Sequence, residues 1–226
     1  MKGKIIVIEG TDCSGKQTQS EILVKKLNND GVKSIRLSFP MYDTPTGKII
    51  AGPYLGKVDF CEGFFEEGAS NVHPKVASMY YCADRLYNID EVVSKVNQGY
   101  VVVLDRYVES NMAHQSAKFD EASKQDEMID WIDSLEYGFL KFPRPDKTIF
   151  LHLPTNLTQK LKEKRGENAD QHENNFDYLS KVEKIYFGLA QKYNFEIVEC
   201  SQGNQINSIE QISEEIYNIV KKIIER

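Results

Sequence analysis

The chain has 226 residues, a formal net charge of -6, 41% hydrophobic and 27% charged residues, with a pI near 5.4. That length fits one domain, and the apolar share is enough to bury a full core, which excludes a disordered chain. Acidity argues against a nucleic-acid partner, and no run approaches the roughly 18 apolar residues of a membrane-spanning helix. Cys13, Cys61, Cys82 and Cys200 form no CxxC or Cys/His spacing, so reduced thiols in a cytoplasmic protein are expected. The first strand begins at once with no basic-then-apolar leader, so a soluble cytoplasmic domain with no membrane partner is the expectation.

The apolar run Lys4–Glu9 predicts a first strand, and Gly10-Thr11-Asp12-Cys13-Ser14-Gly15-Lys16-Gln17-Thr18 follows it directly. A glycine-rich turn between a strand and a helix curls backbone N–H groups around phosphate oxygens, and the helix start adds its positive end. Gly10 and Gly15 allow the tight path, Lys16 reaches the terminal phosphates, and the plain alternative is a glycine turn that merely precedes a helix. Gln17 departs from the pattern, which wants a Ser or Thr hydroxyl for magnesium. An amide oxygen is a poorer magnesium ligand than a carboxylate, so Asp12 and Asp105 are the candidate metal ligands.

Helix Gly15–Asn29 leads to a second strand, Ser34–Phe39, which ends in Phe39-Pro40-Met41-Tyr42. A kinase that deprotonates a hydroxyl would be expected to place a carboxylate there; none is present, which favours an acceptor that is already an anion. The stretch Tyr42–Val72, with five glycines and two prolines, reads as the least regular part of the chain, with mobility expected. Helix Pro74–Gln98 starts on a proline suited to its first turn and is capped by Gly99. Tyr81 and Arg85 share one face of it and can sandwich a planar base and bond its rim. The alternative reading makes Tyr80 and Tyr81 core aromatics and Arg85 a solvated charge.

The third strand, Tyr100–Asp105, delivers Asp105-Arg106-Tyr107 to the sheet edge where the phosphate loop emerges. Arg106 can grip a second phosphate there in a bidentate manner, while Asp105 alone could be a strand-end cap. Helices Val108–Ser116 and Gln125–Tyr137, strand Thr148–Leu153, helices Asn156–Lys164 and Asn174–Tyr193, strand Phe195–Cys200 and helix Ser208–Glu225 complete the chain. Alternating short strands and helices predict an α/β fold with a five-stranded parallel sheet flanked by helices. The polar stretch Arg165–Asn175 has the composition of a surface flap.

Taken in order, Gly10–Thr18, Phe39-Pro-x-Tyr42, Tyr81-x-x-x-Arg85, Asp105-Arg-Tyr107, Ser110-Asn111-x-Ala113 and Pro145-Asp146 resemble the thymidylate kinase family from end to end. The Asp-Arg-Tyr step followed by Ser-Asn-x-Ala carries most of the specificity. The resemblance implies a P-loop kinase fold of the nucleoside monophosphate kinase group, one domain over residues 1–226 with a mobile lid at about 160–175. It implies transfer of the γ-phosphate of ATP to dTMP, giving dTDP and ADP in dTTP synthesis, with Mg2+ as cofactor and a homodimer as the common assembly.

By the same resemblance, residues 10–18 hold ATP, Tyr81 stacks on thymine and Arg85 bonds a carbonyl of the base. Arg106, with Phe39 and Tyr42, holds the dTMP phosphate; Ser110, Asn111, His114 and Gln115 belong to the acceptor site. Lys16, Arg106, Arg165 and Asp12 are the expected catalytic set. Three positions depart from the family pattern: His114 replaces a common aromatic ring, Tyr81 replaces the commoner Phe, and Cys13 stands where one subgroup carries a loop arginine. Catalytic positive charge is then expected from the flap, with Arg165 the first candidate and Lys160, Lys162 and Lys164 readable as a solvated face. His114 leaves open a kinase of broader pyrimidine monophosphate range, and the rival of another class is a nucleotide-binding module without turnover.

Overall fold

In the computed structural model, residues 3–11, 13–57, 59–158 and 176–225 are described. Five parallel strands form the central sheet: β1 (Lys4–Gly10), β2 (Ser34–Ser38), β3 (Val101–Asp105), β4 (Lys147–His152) and β5 (Glu196–Glu199), in the order β2-β3-β1-β4-β5. Helix α1 (Lys16–Asn29) follows β1, and α2 (Pro45–Ile49) follows β2. Next come α3 (Pro74–Asn97), then α4 (Val108–Ser116) and α5 (Ala122–Ile132) between β3 and β4. Helix α6 (Phe176–Tyr193) precedes β5, and α7 (Ile209–Ile224) closes the chain after a small antiparallel pair, β6 (Ser201–Gln202) with β7 (Gln205–Ile206).

The pleat sorts the core. Successive side chains of a strand point to opposite faces, so Ile5 and Val7 join one apolar cluster while Ile6 and Ile8 join another. The first cluster takes Ile89 and Val92 from α3, Met112 from α4, Ile132 from α5 and Tyr186 from α6. The second takes Leu23 and Leu27 from α1 and Ile212, Ile216 and Val220 from α7. Both faces of the sheet are therefore covered, which is why its strands read as nearly unbroken apolar runs.

Three regions differ from the sequence expectation. Tyr42–Val72 opens more regularly than expected, with α2 and a wide, π-type turn (Ile50–Tyr54), is irregular as expected among the described residues after it, and contributes Ile50, Tyr54, Ala69 and Val72 to an apolar cluster with Ala77. Its glycines serve close packing rather than looseness; a Cβ on Gly47 would lie 1.9 Å from the Met41 carbonyl oxygen. The helix expected at Gln125–Tyr137 starts earlier and ends at Ile132, where a second wide turn (Asp133–Phe139) takes over. The β6–β7 pair was not expected from the sequence at all. The flap Arg165–Asn175 and most of Asn156–Lys164 lie outside the described residues.

Candidate active site

The phosphate loop leaves the middle of the sheet. β1 pairs with β3 through Ile8 and Asp105 and with β4 through Gly10 and Leu151, so the loop emerges between two strand ends. Gly10 has no room for a side chain: a Cβ would meet Ser14 Oγ at 2.5 Å and the Leu151 carbonyl oxygen at 2.8 Å. Cys13 (φ 59°) and Gly15 (φ 87°) both take the left-handed conformation, which turns successive N–H groups to one side. Buried Lys16 donates from Nζ to the Thr11 carbonyl at 2.7 Å. Gln17 and Thr18 are exposed, and Gln17 donates to Glu21 at 3.0 Å, so the amide is directed along α1. Asp12 lies outside the described residues.

Beside the loop opens a cavity of about 690 Å³ including its open mouth. All of the acceptor residues nominated from the sequence line it. Phe39 and Tyr42 come from the segment after β2, Tyr81 and Arg85 from α3, and Arg106 from the end of β3. Ser110, Asn111, His114 and Gln115 come from α4. Sequence reasoning missed Leu55, after the first wide turn, and Tyr178, in the first turn of α6. No local signal marks either; they arrive from distant parts of the chain.

Three buried carboxylates hold these walls. Glu9, 0% exposed, accepts from the Tyr107 and Ser110 backbone N–H groups at 2.9 and 3.1 Å, from Ser110 Oγ at 2.6 Å and from the Tyr186 hydroxyl at 2.8 Å. It fixes the turn that carries Arg106. Asp84 accepts from the Met41 N–H at 2.9 Å, from Thr46 Oγ1 at 2.8 Å and from Asn88 Nδ2 at 3.1 Å, which pins the segment running out of β2. Glu136 pairs with Arg85, as Nε to Oε2 at 2.5 Å and Nη2 to Oε1 at 2.6 Å. Burial opposes the guanidinium charge, but the Glu136 carboxylate outweighs it and holds the group protonated.

Arg106 adopts a left-handed backbone (φ 66°) with its N–H bonded to the Ile8 carbonyl at 3.1 Å. Such a conformation in a residue with a Cβ costs on the order of 1 kcal/mol, here offset by the Glu9 contacts to Tyr107 and Ser110 that follow it. The side chain lies 3.2 Å from Ser110 Oγ and 3.5 Å from His114 Nε2. His114 Nδ1 sits 3.0 Å from the Tyr178 hydroxyl, so the departure at that position comes with a polar partner.

One alternative reading needs correction and another is supported. Arg85 is not a solvated charge: it is 2% exposed and salt-bridged, because a cation inside the protein must be paired. Asp105 is a satisfied strand-end acid as the alternative reading had it, with Arg36 Nη2 of the neighbouring strand 2.6 Å from its Oδ2. Tyr80 and Tyr81 are half-buried and pack on Tyr54, stacked at 5.5 Å and edge-on at 5.8 Å. Tyr81 thus belongs to an aromatic cluster and to the cavity wall at once.

The strand ends thus bring together a phosphate loop and an aromatic, arginine-bearing cavity. The thymidylate kinase family model matches residues 8–216. The chain belongs to the thymidylate kinase family. It is 32% identical to the thymidylate kinase of Brachyspira hyodysenteriae, over 98% of this chain and 95% of that one. With the human thymidylate kinase it shares 29% identity, over 95% and 88% of the two chains. The solved structure of thymidylate kinase from Candida albicans superposes with a TM-score of 0.76 at 27% identity, covering 98% of this chain and 92% of that one. Like these relatives, the chain is a kinase.

Proposed function

We propose that the chain carries out its family's reaction, transfer of the γ-phosphate of ATP to dTMP to give dTDP and ADP, through the residues described above. The observation that carries the reading is the single cavity beside the phosphate loop, which gathers Tyr81, Arg85, Arg106 and Asn111 from three elements. In this reading Gly10–Thr18 cradles the ATP phosphates and Lys16 swings from the Thr11 carbonyl to the transferring group. Arg106 fixes the dTMP phosphate beside Ser110, with Phe39 and Tyr42 closing that end. Tyr81 stacks on the thymine ring, while Arg85, Asn111 and Gln115 meet its polar edge; Asn111 Oδ1 and Gln115 Oε1 are buried without partners among the described residues. Buried orphan acceptors are uncommon, and a ligand donor would satisfy them.

The acceptor phosphate is already an anion, so no general base is needed. Catalysis then rests on alignment, charge neutralisation and exclusion of water. Among the described residues no three His, Cys, Asp or Glu side chains come together as a metal cluster. Magnesium takes one or two carboxylates and otherwise phosphate and water oxygens. Asp105, at the strand end beside the loop, and Asp12 are the residues proposed to hold it. Bound there, it would neutralise charge on the β and γ oxygens. Arg165 is proposed to add the charge that Cys13 does not.

A homodimer is proposed as well, through α3. Val76, Met79, Leu86, Tyr87 and Val93 are 38–60% exposed and fall on one stripe of that helix. Leu86→Asp would then halve the mass measured by sedimentation, and an unchanged mass would remove α3 from the interface. For the activity, ATP consumption is compared with no acceptor and with dTMP, dUMP, UMP, dGMP and dCMP. Strong stimulation by dTMP supports the reading, and hydrolysis indifferent to every monophosphate would sink it. Comparable turnover of several pyrimidine monophosphates would support the broader range that His114 suggests.

A further inference from the structure

The cavity's base-reading groups owe their orientation to a residue that no ligand reaches. Glu136 is 0% exposed, sits in the wide turn after α5 and does not line the cavity. It nevertheless touches two residues that do. Its carboxylate takes one edge of Arg85, at Nε and Nη2. That leaves the second N–H of Nη2 and both of Nη1, one of which makes a long 3.5 Å contact with the Tyr107 carbonyl, as donor capacity to spare.

The same carboxylate settles which way the Asn111 amide faces. Asn111 Nδ2 lies 3.1 Å from Glu136 Oε1, 2.7 Å from Ser78 Oγ and 3.4 Å from the Ser78 carbonyl oxygen. A carboxylate and a carbonyl only accept, so the amide nitrogen must sit on their side. Oδ1 is thereby turned away, buried and without a partner among the described residues. One hidden carboxylate thus sets a donor at Arg85 and an acceptor at Asn111 on the wall of a single cavity.

We propose that Glu136 is the positioning residue for base selection, locking Arg85 as donor and Asn111 as acceptor so that the cavity takes a 4-oxo pyrimidine and rejects a 4-amino one. A 4-oxo ring with an N3–H offers an acceptor beside a donor, which complements this pair. A 4-amino ring with a bare N3 offers the reverse at both atoms, leaving two buried groups facing their own kind. The inference rests on the acceptor-site reading above. Without the carboxylate, Arg85 loses its anchor, and the Asn111 amide is held only by Ser78, whose hydroxyl accepts or donates and whose carbonyl lies at a long 3.4 Å.

The test measures steady-state kinetics with ATP and either dTMP or dCMP for the wild type, Glu136→Gln and Glu136→Asp. Glu136→Gln should raise the dTMP KM about tenfold with kcat and the ATP KM little changed, and should cut the dTMP-to-dCMP ratio of kcat/KM by about tenfold or more. Glu136→Asp, which keeps the charge, should recover part of that ratio. If Glu136→Gln does not fold, the ratio in Glu136→Asp carries the test. An unchanged ratio in the folded variants, an equal loss for both nucleotides, or failure of both variants to fold would assign Glu136 to the fold alone. A wild type that ignores dTMP would instead sink the acceptor-site reading itself.

Discussion

The acceptor cavity and the phosphate loop are built on different principles. The cavity is held from behind: Glu9, Asp84 and Glu136 are all buried and fix its walls through hydrogen bonds that involve no ligand. The loop closes on itself, with Lys16 bonded to the carbonyl of Thr11, five residues before it. A rigid acceptor half can align a nucleophile, because ordering is done before the ligand arrives. A donor half whose key cation must move adds its charge only when phosphate competes for it. The contrast predicts that damage to the loop shows in turnover, and damage to the cavity shows in binding.

The largest effect is expected from Lys16→Ala, a loss in kcat of about 10²–10³-fold, the scale seen when one group aimed at developing charge is removed. The dTMP KM should hold. A raised dTMP KM with normal kcat would break the contrast outright. Arg106→Ala should come next, raising the dTMP KM and lowering turnover together, for a drop in kcat/KM of about 10–10²-fold, as losing a charged hydrogen bond implies. Near-normal kinetics would remove Arg106 from the acceptor role. Binding of ATP alone, measured by titration calorimetry, should be untouched by Arg106→Ala, which sharpens the division between the halves.

The two halves were also unequally legible in the sequence. Local spacing reveals whatever lies within one turn or one helix face, so Gly10–Lys16, Tyr81 with Arg85, and Asp105–Tyr107 could be read directly. Periodicity along single elements says nothing about which distant residue supports them. Arg85 was readable as a base contact or a solvated charge; the structure adds a partner 51 residues away. Glu9 stood out only as one acid closing an apolar strand, and its bonds reach α4 and α6. Leu55 and Tyr178 carry no motif at all. The glycines and prolines of Tyr42–Val72 suggested irregularity, whereas Gly47 and Gly52 are close-packed against Met41 and Cys61. The lid, where the donor half was expected to find its remaining charge, lies outside the described residues.

A smaller effect probes the cost of a polar, buried acceptor half. Glu109 is 3% exposed, accepts from the Tyr137 hydroxyl at 2.6 Å, and its Oε2 has no partner among the described residues. Burial, with the Glu9 charge nearby, pushes its carboxyl up to about 7, against the hydrogen bond from Tyr137. A raised carboxyl favours folding while protonated, so its contribution is complete below about pH 4.5 and is lost as pH rises through about 7. From 4.5 to about 7 the shift is about 2.5 units, at most about 3 kcal/mol. Glu109→Gln should therefore be the more stable protein at pH 8, by about 1–3 kcal/mol in urea titrations, and should lose the advantage at pH 4.5. If the wild-type slope survived in that variant, Glu109 would not be its source.

The donor side carries a titrating group of its own, a histidine held between two carboxylates. His152, at the end of β4 beside the loop, lies 3.0 Å from Glu183 Oε1 through Nε2 and 2.6 Å from Glu199 Oε2 through Nδ1. Glu183 also accepts from the Thr155 N–H at 3.0 Å, which ties β4, β5, α6 and the start of the next segment together. Burial works against the imidazolium, but the two carboxylates prevail and raise the His152 pKa above its usual 6.5. For Glu183, burial is likewise outweighed by the bonds from His152 and Thr155, which lower its pKa below 4.5. The pair therefore stabilises most between about pH 4.5 and 6.5. The histidine part is lost as pH rises through its raised pKa, and the Glu183 part as pH falls through its lowered one. His152→Gln should abolish the alkaline loss, a change of about 1 kcal/mol or less for a half-buried pair near solvent. It should leave intact the slope between about pH 4.5 and 6.5, where Glu109 titrates and the histidine contribution is still complete. With the two side chains in different halves, the effects in the double variant should add; a coupled response would mean that the cavity and the loop communicate through the sheet between them.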